Sequence, residues 1–212
     1  SSITLGPVAY PWGYPLILVP AYALKGLSPL ALKLPGLFLF LGFLVCLFLI
    51  TKDRLTRTES LLLVSLFALN PLLLRFLNQI TSDIPFLFFS TLALWLMVRD
   101  DKHETSNAWV LGSVIACAFF VRTQGILLLA SYGVAEFLYL LRDRKDRETL
   151  KRTIWSVFLV CTSFGLLWLV YALTFPGGGE SYFAQYKDFQ MKTVIGYTTG
   201  YFHVFGEFFG KT

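Results

Sequence analysis

LALKLPGLFLFLGFLVCLFLIT, residues Leu30–Thr51, decides the fold class. A helix rising about 1.5 Å per residue needs roughly 20 apolar residues to cross a hydrocarbon core about 30 Å thick, and this run supplies them. Working outward, similar runs follow at Ser60–Leu77, Ile84–Val98, Ala108–Val121, Gly125–Leu141 and Thr153–Phe175. Ile84–Val98 is short and needs its flanking residues to complete a span. Ala108–Leu141 is too long for one helix, and its polar interruption Arg122-Thr123-Gln124-Gly125 marks a tight turn. The expected fold is all-α, a polytopic transmembrane helix bundle of about six spans.

Composition agrees. The chain is 56% hydrophobic and 15% charged, with a mean hydropathy of +0.64, whereas a soluble domain carries about a quarter charged residues. Its net charge of +5 is bunched in short segments between apolar runs. That pattern suits a membrane surface and excludes nucleic acid, for which a basic stripe with interleaved stacking aromatics would be needed. Cys46, Cys117 and Cys161 all fall inside apolar runs and read as small packing residues, without disulfide or zinc spacing. His103 and His203 are far apart and suggest no metal site. With no initiator Met and no signal peptide, the sequence reads as a fragment of a longer protein.

The basic segments set the orientation. Arg142–Arg152 (RDRKDRETLKR), the cluster Lys52, Arg54 and Arg57, and the pair Arg99 and Lys102 recur at alternate boundaries, so the positive-inside rule places all three in the cytoplasm. The loops Asn78–Asp83 and Arg122–Gln124, and the segment after Phe175, then lie on the opposite face of a plasma or inner membrane. Tyr10–Gly26 (YPWGYPLILVPAYALKG) breaks the alternation. Its prolines, Pro11, Pro15 and Pro20, predict a broken interfacial segment on the outer face. Three regions follow: an outer loop over 1–29, a helical bundle over 30–175, and an aromatic, Gly-rich outer loop over 176–212.

Asp83, in the loop NQITSDIP, is the strongest candidate for chemistry. A carboxylate at a membrane boundary binds a cation, pairs with a base or faces water. Ser82 or Asp83 ahead of Ile84-Pro85 is also a good helix start, and the two readings are compatible. Arg122 lies on the same face. Its guanidinium can hold a lipid phosphate bidentately, or can snorkel or pair with a carboxylate. Arg75 invites the same two readings. Tyr10, Trp12 and Tyr14 read as an interfacial aromatic belt or, more sharply, as a wall for a sugar ring. Gly177-Gly178-Gly179 is a turn and not a phosphate loop.

Three stretches carry a resemblance: YPWGYPLILVPAYALKG at Tyr10–Gly26, NPLLLRFLNQITSDIPFLFFSTLALWLMVR at Asn70–Arg99, and AFFVRTQGILLL at Ala118–Leu129. In order and topology they resemble integral-membrane glycosyltransferases of the GT-C fold. These use lipid-phosphate sugars and include the protein O-mannosyltransferases and the aminoarabinose transferase of lipid A. The resemblance implies an inverting transfer from a polyprenyl-phosphate-sugar donor to a lipid, glycan or protein acceptor on the non-cytoplasmic face, among membrane lipids. It implies that Asp83 binds a divalent metal or orients the reacting groups. It also implies that Arg122 meets the lipid phosphate. Tyr10, Tyr14, Asn78 and Arg75 are read from their positions as further substrate-binding candidates. The cofactor stays open, with Asp83 as the metal ligand if there is one. The family's first acidic residue has no counterpart here, so such a fragment is expected to be inactive alone. In place of the aminoarabinose branch's Glu-Lys stands Ala9-Tyr10. The alternative is a multi-span transporter or a non-catalytic membrane subunit. Transporters usually show paired broken helices, and only one such segment is found.

Overall fold

The computed structural model describes residues 11–99, 104–142 and 147–174. These belong to one compact unit, Pro11–Phe175, and every regular element within them is helical. In chain order the helices are α1 (Gly13–Lys25), α2 (Pro29–Thr51), α3 (Arg57–Ala68), α4 (Pro71–Leu77), α5 (Asp83–Val98), α6 (Thr105–Val121), α7 (Ile126–Arg142) and α8 (Arg147–Thr174). A short 3-10 turn, Thr123–Gly125, joins α6 to α7. Tyr10, Lys102, His103, His203 and the segment 176–212 lie outside the described residues.

Among the described residues the span count is lower than expected. Three helical stretches, Pro29–Thr51, Thr123–Leu141 and Leu150–Thr174, are long and apolar enough to cross a membrane alone. The α3–α4 pair adds a fourth only if its two helices, bent by 56°, are taken as one span. The remaining two runs fall short for a physical reason. α5 is bounded by Asp83 and Arg99, and α6 by Glu104 and Arg122. They have 16 and 17 residues, so they reach only about 24 and 26 Å.

Local chemistry explains the other breaks. Thr56 and Glu59 form a capping box that starts α3: Thr56 Oγ1 accepts from the Glu59 amide, and the Glu59 carboxylate accepts from the Thr56 amide at 2.8 Å. The run continuing through Leu77 is cut at Asn70-Pro71. Proline lacks the amide hydrogen a continuing helix needs and pushes the preceding residue to extended backbone. Asn70 is extended (φ −64°, ψ 119°), and its Oδ1 accepts from the amides of Leu72 and Leu73 at 2.9 and 3.3 Å. α1 corrects a second expectation, being continuous from Gly13 to Lys25 and not broken. Pro11 precedes it and Pro15 sits in its first turn, where no intrahelical amide bond is lost. Pro20 alone lies inside.

Neighbouring helices pack as α2 on α5, α5 on α6 and α6 on α8, with α1 against both α2 and α6. Small residues let α6 and α8 approach closely: a Cβ at Gly112 would lie 2.5 Å from the Val160 carbonyl oxygen. The two helices are also joined by hydroxyls. Ser163 donates to the Trp109 carbonyl at 2.9 Å and stands 3.0 Å from the Ser113 hydroxyl. Large apolar side chains face outward, Leu24 and Leu27 each being 81% exposed. That is the surface expected of helices whose solvent is lipid.

Candidate functional site

Opposite ends of the bundle differ in chemistry. At one end lie the starts of α1, α2 and α5 and the ends of α4, α6 and α8, tied together by specific contacts. The Trp12 amide donates to the Tyr171 hydroxyl at 2.8 Å. Tyr171 stacks on Phe120, ring centroids 4.5 Å apart. Gly13 rests directly on the last turn of α6, where a Cβ would come within 2.4 Å of the Phe120 carbonyl oxygen. A side chain there would lift α1 off α6.

Arg122 is placed by the break between α6 and α7. Its amide still bonds back to the Ala118 carbonyl at 2.9 Å, but its backbone is extended (φ −147°, ψ 132°). The chain then folds over itself, with the Gly125 amide donating to the Arg122 carbonyl at 2.8 Å. Glycine is required here by close approach: a Cβ on Gly125 would stand 2.4 Å from the Phe119 nitrogen. Asp83 is the first residue of α5, after Ser82, which forms no side-chain cap bond.

These two elements bring Arg122 Nη1 to 2.8 Å from Asp83 Oδ1. Each charge also suits its helix end, the carboxylate at an N-terminus and the guanidinium at a C-terminus. Arg122 is 37% exposed and Asp83 27%. A pair this open contributes about 1 kcal/mol or less to stability. Water, and any polar ligand, can reach it.

The other expected residues are distributed unevenly around the pair. Asn78, the C-cap of α4, accepts from Lys33 Nζ at 2.7 Å rather than from Arg122. Arg75 is exposed in the last turn of α4 and makes no ion pair with a described residue. Tyr14 is half-buried in the first turn of α1. Burial pushes its hydroxyl up to about 12, so it stays a neutral donor at physiological pH. Among the described residues, no three potential metal ligands come together. Asp83 is the carboxylate in the described contacts at this end, and Arg122 engages it.

Two residues escaped the sequence reading. Lys33 is a lone cation inside the Leu30–Thr51 run, which is by itself a signal of a functional position. Among the described residues its ammonium meets the neutral Asn78 amide. Thr81, two residues before Asp83, buries its hydroxyl oxygen without a hydrogen-bond partner. Such an orphan costs about 1–3 kcal/mol, and no sequence pattern announces it.

No curated protein and no solved structure matches the chain. A family profile does, over residues 10–171, which takes in α1 through most of α8 and both members of the ion pair. With an all-helical apolar bundle beneath that match, the chain belongs to the dolichyl-phosphate-mannose-protein mannosyltransferase family, whose members are membrane glycosyltransferases.

Proposed function

We propose that the chain carries part of the transfer site of an inverting glycosyltransferase, with Asp83 as base and Arg122 as phosphate partner. The donor is a polyprenyl-phosphate sugar and the acceptor a hydroxyl on the non-cytoplasmic face. The observation that carries this reading is the solvent-reachable Asp83–Arg122 contact at the end of the bundle away from the basic loops. In the transfer, the acceptor oxygen gives its proton to Asp83 and bonds to the anomeric carbon. The bond from that carbon to the phosphate oxygen breaks on the opposite face, and the electron pair leaves with the lipid phosphate. Arg122 stabilises that departing charge. Direct contact between the two side chains leaves no room for a sugar between them, so in this reading donor binding parts the pair. A guanidinium has five N–H donors, so a phosphate can draw it from Asp83 without leaving either charge unsolvated.

The same contact favours a second reading, in which the pair only clamps α5 to the α6–α7 turn by mutual neutralisation. Arg122→Ala separates the two. As a phosphate partner, its loss raises the donor KM about tenfold or more with the fold intact. As a clamp, its loss changes thermal stability and leaves donor KM alone. Steady-state transfer kinetics alongside a melting curve read both.

Orientation supports the outer-face assignment through the basic segments Lys52–Glu59, Arg99–Asn107 and Arg142–Arg152, which fall at alternate boundaries. Single-cysteine variants in these segments are expected to resist a membrane-impermeant thiol reagent in intact cells and to react after permeabilisation. Labelling of Arg142–Arg152 from outside intact cells reverses the assignment.

A further inference from the structure

The end of the bundle opposite the Asp83–Arg122 pair holds a cavity of about 780 Å³, formed where α2 ends beside the end of α5. Leu49, Ile50, Val98 and Trp95 form its apolar side. At its rim stand Lys52, Arg54 and Arg99, against one carboxylate among the described lining residues, Asp53. The Arg99 guanidinium lies over the Trp95 ring, 4.9 Å from its centroid, and stacking of this kind holds the planar cation in a fixed orientation. The cavity thus sets cations beside apolar side chains where α2 and α5 end.

We infer that this cavity binds the phosphate headgroup of an anionic membrane lipid, with Lys52 and Arg54 as the principal contacts and Arg99 on its Trp95 shelf closing the site. Leu49, Ile50, Trp95 and Val98 beside the cations suit a lipid better than a free anion, because glycerol and the first methylenes can pack on them while the phosphate meets the charges. Basic residues at a membrane surface each favour an anionic lipid by roughly fivefold. The site lies away from the transfer pair and stands whether or not Asp83 and Arg122 act as proposed.

The test is a titration of the detergent-solubilised protein with short-chain phosphatidylglycerol, followed by native mass spectrometry, with phosphatidylcholine and inorganic phosphate as the other arms. Saturable binding of phosphatidylglycerol is expected, with no competition from phosphatidylcholine. The double substitution Lys52→Gln/Arg54→Gln should weaken it about twenty-five-fold, roughly fivefold per cation. Displacement of the lipid by inorganic phosphate at equal concentration would assign the phosphate site to a soluble ligand and overturn the lipid assignment. Equal binding by wild type and the double variant would overturn the site itself. Should the double variant not fold, a photoactivatable phosphatidylglycerol on the wild type decides: cross-links at residues 49–54 or 95–99 support the cavity, and cross-links confined elsewhere reject it.

Discussion

Replacing Asp83 by Asn is expected to lower sugar transfer by about a hundredfold or more while expression and membrane insertion stay normal. The magnitudes separate the two effects. General base assistance contributes typically about 10²–10⁴ in rate, whereas an ion pair as open as this one is worth about 1 kcal/mol or less to the fold. Asn keeps the shape of the carboxylate and can still accept a hydrogen bond from Arg122, so the substitution removes the charge and the proton acceptor but little packing. The measurement is transfer from a polyprenyl-phosphate sugar by matched amounts of folded full-length wild-type and variant enzyme. Wild-type turnover by a well-folded Asp83→Asn protein would leave Asp83 as a structural partner of Arg122.

The largest expected effect on stability comes from a single methyl group. Gly125→Ala puts a Cβ 2.4 Å from the Phe119 nitrogen and 2.6 Å from the Ala118 carbonyl carbon, and both obstacles are backbone. Neither can rotate away, so the turn must open. The expected loss is about 3 kcal/mol, at the upper end of ordinary overpacking. It should appear as a clearly lowered melting temperature in detergent. Because Arg122 is held by the same turn, the Gly125→Ala protein should also lose donor affinity. Gly133→Ala, in the middle of α7, is the control. Nothing lies within 4 Å of its Cβ position, and alanine is the better helix former by about 1 kcal/mol, so its melting temperature should hold or rise. Equal behaviour of the two variants would show that the turn tolerates a side chain.

Apolar runs made most of the helices legible. Val98, Val121 and Leu141 end the runs that become α5, α6 and most of α7, because helices in this setting stop where charges and turn residues begin. What the runs concealed was their internal grammar. Ser60–Leu77 reads as one span by hydropathy, yet Asn70-Pro71 carries a turn signal strong enough to cap a new helix. Prolines misled in the other direction at Tyr10–Gly26, where two of the three fall before or within the first turn of α1 and only Pro20 interrupts. Counting prolines without their register exaggerated the break.

The candidate site divides in the same way. Topology alone put Asp83 and Arg122 on one face, since the loops bearing them emerge together. Their contact was not legible, because it depends on α5 packing beside α6 and on a glycine turn that folds the chain back over the end of α6. Lys33 was hidden by its surroundings: a single charge in an apolar run lowers hydropathy too little to stand out. Its pairing with Asn78 arises only when the end of α4 meets the start of α2.

Asp83 and Arg122, if they do different chemical jobs and are not merely a neutral pair, cannot trade places without loss of function. Exchanging them tests this most directly. In the double variant Asp83→Arg/Arg122→Asp the opposite charges again face one another, so a clamp would be rebuilt even though each charge now sits at the less suited helix end. The exchanged protein is expected to insert and fold with a melting temperature closer to wild type than that of either single exchange. Its sugar transfer is expected to stay at least about a hundredfold down, since the base and the phosphate partner have changed positions. Transfer restored to near the wild-type rate by the exchange would contradict the division of labour and leave the pair as a clamp.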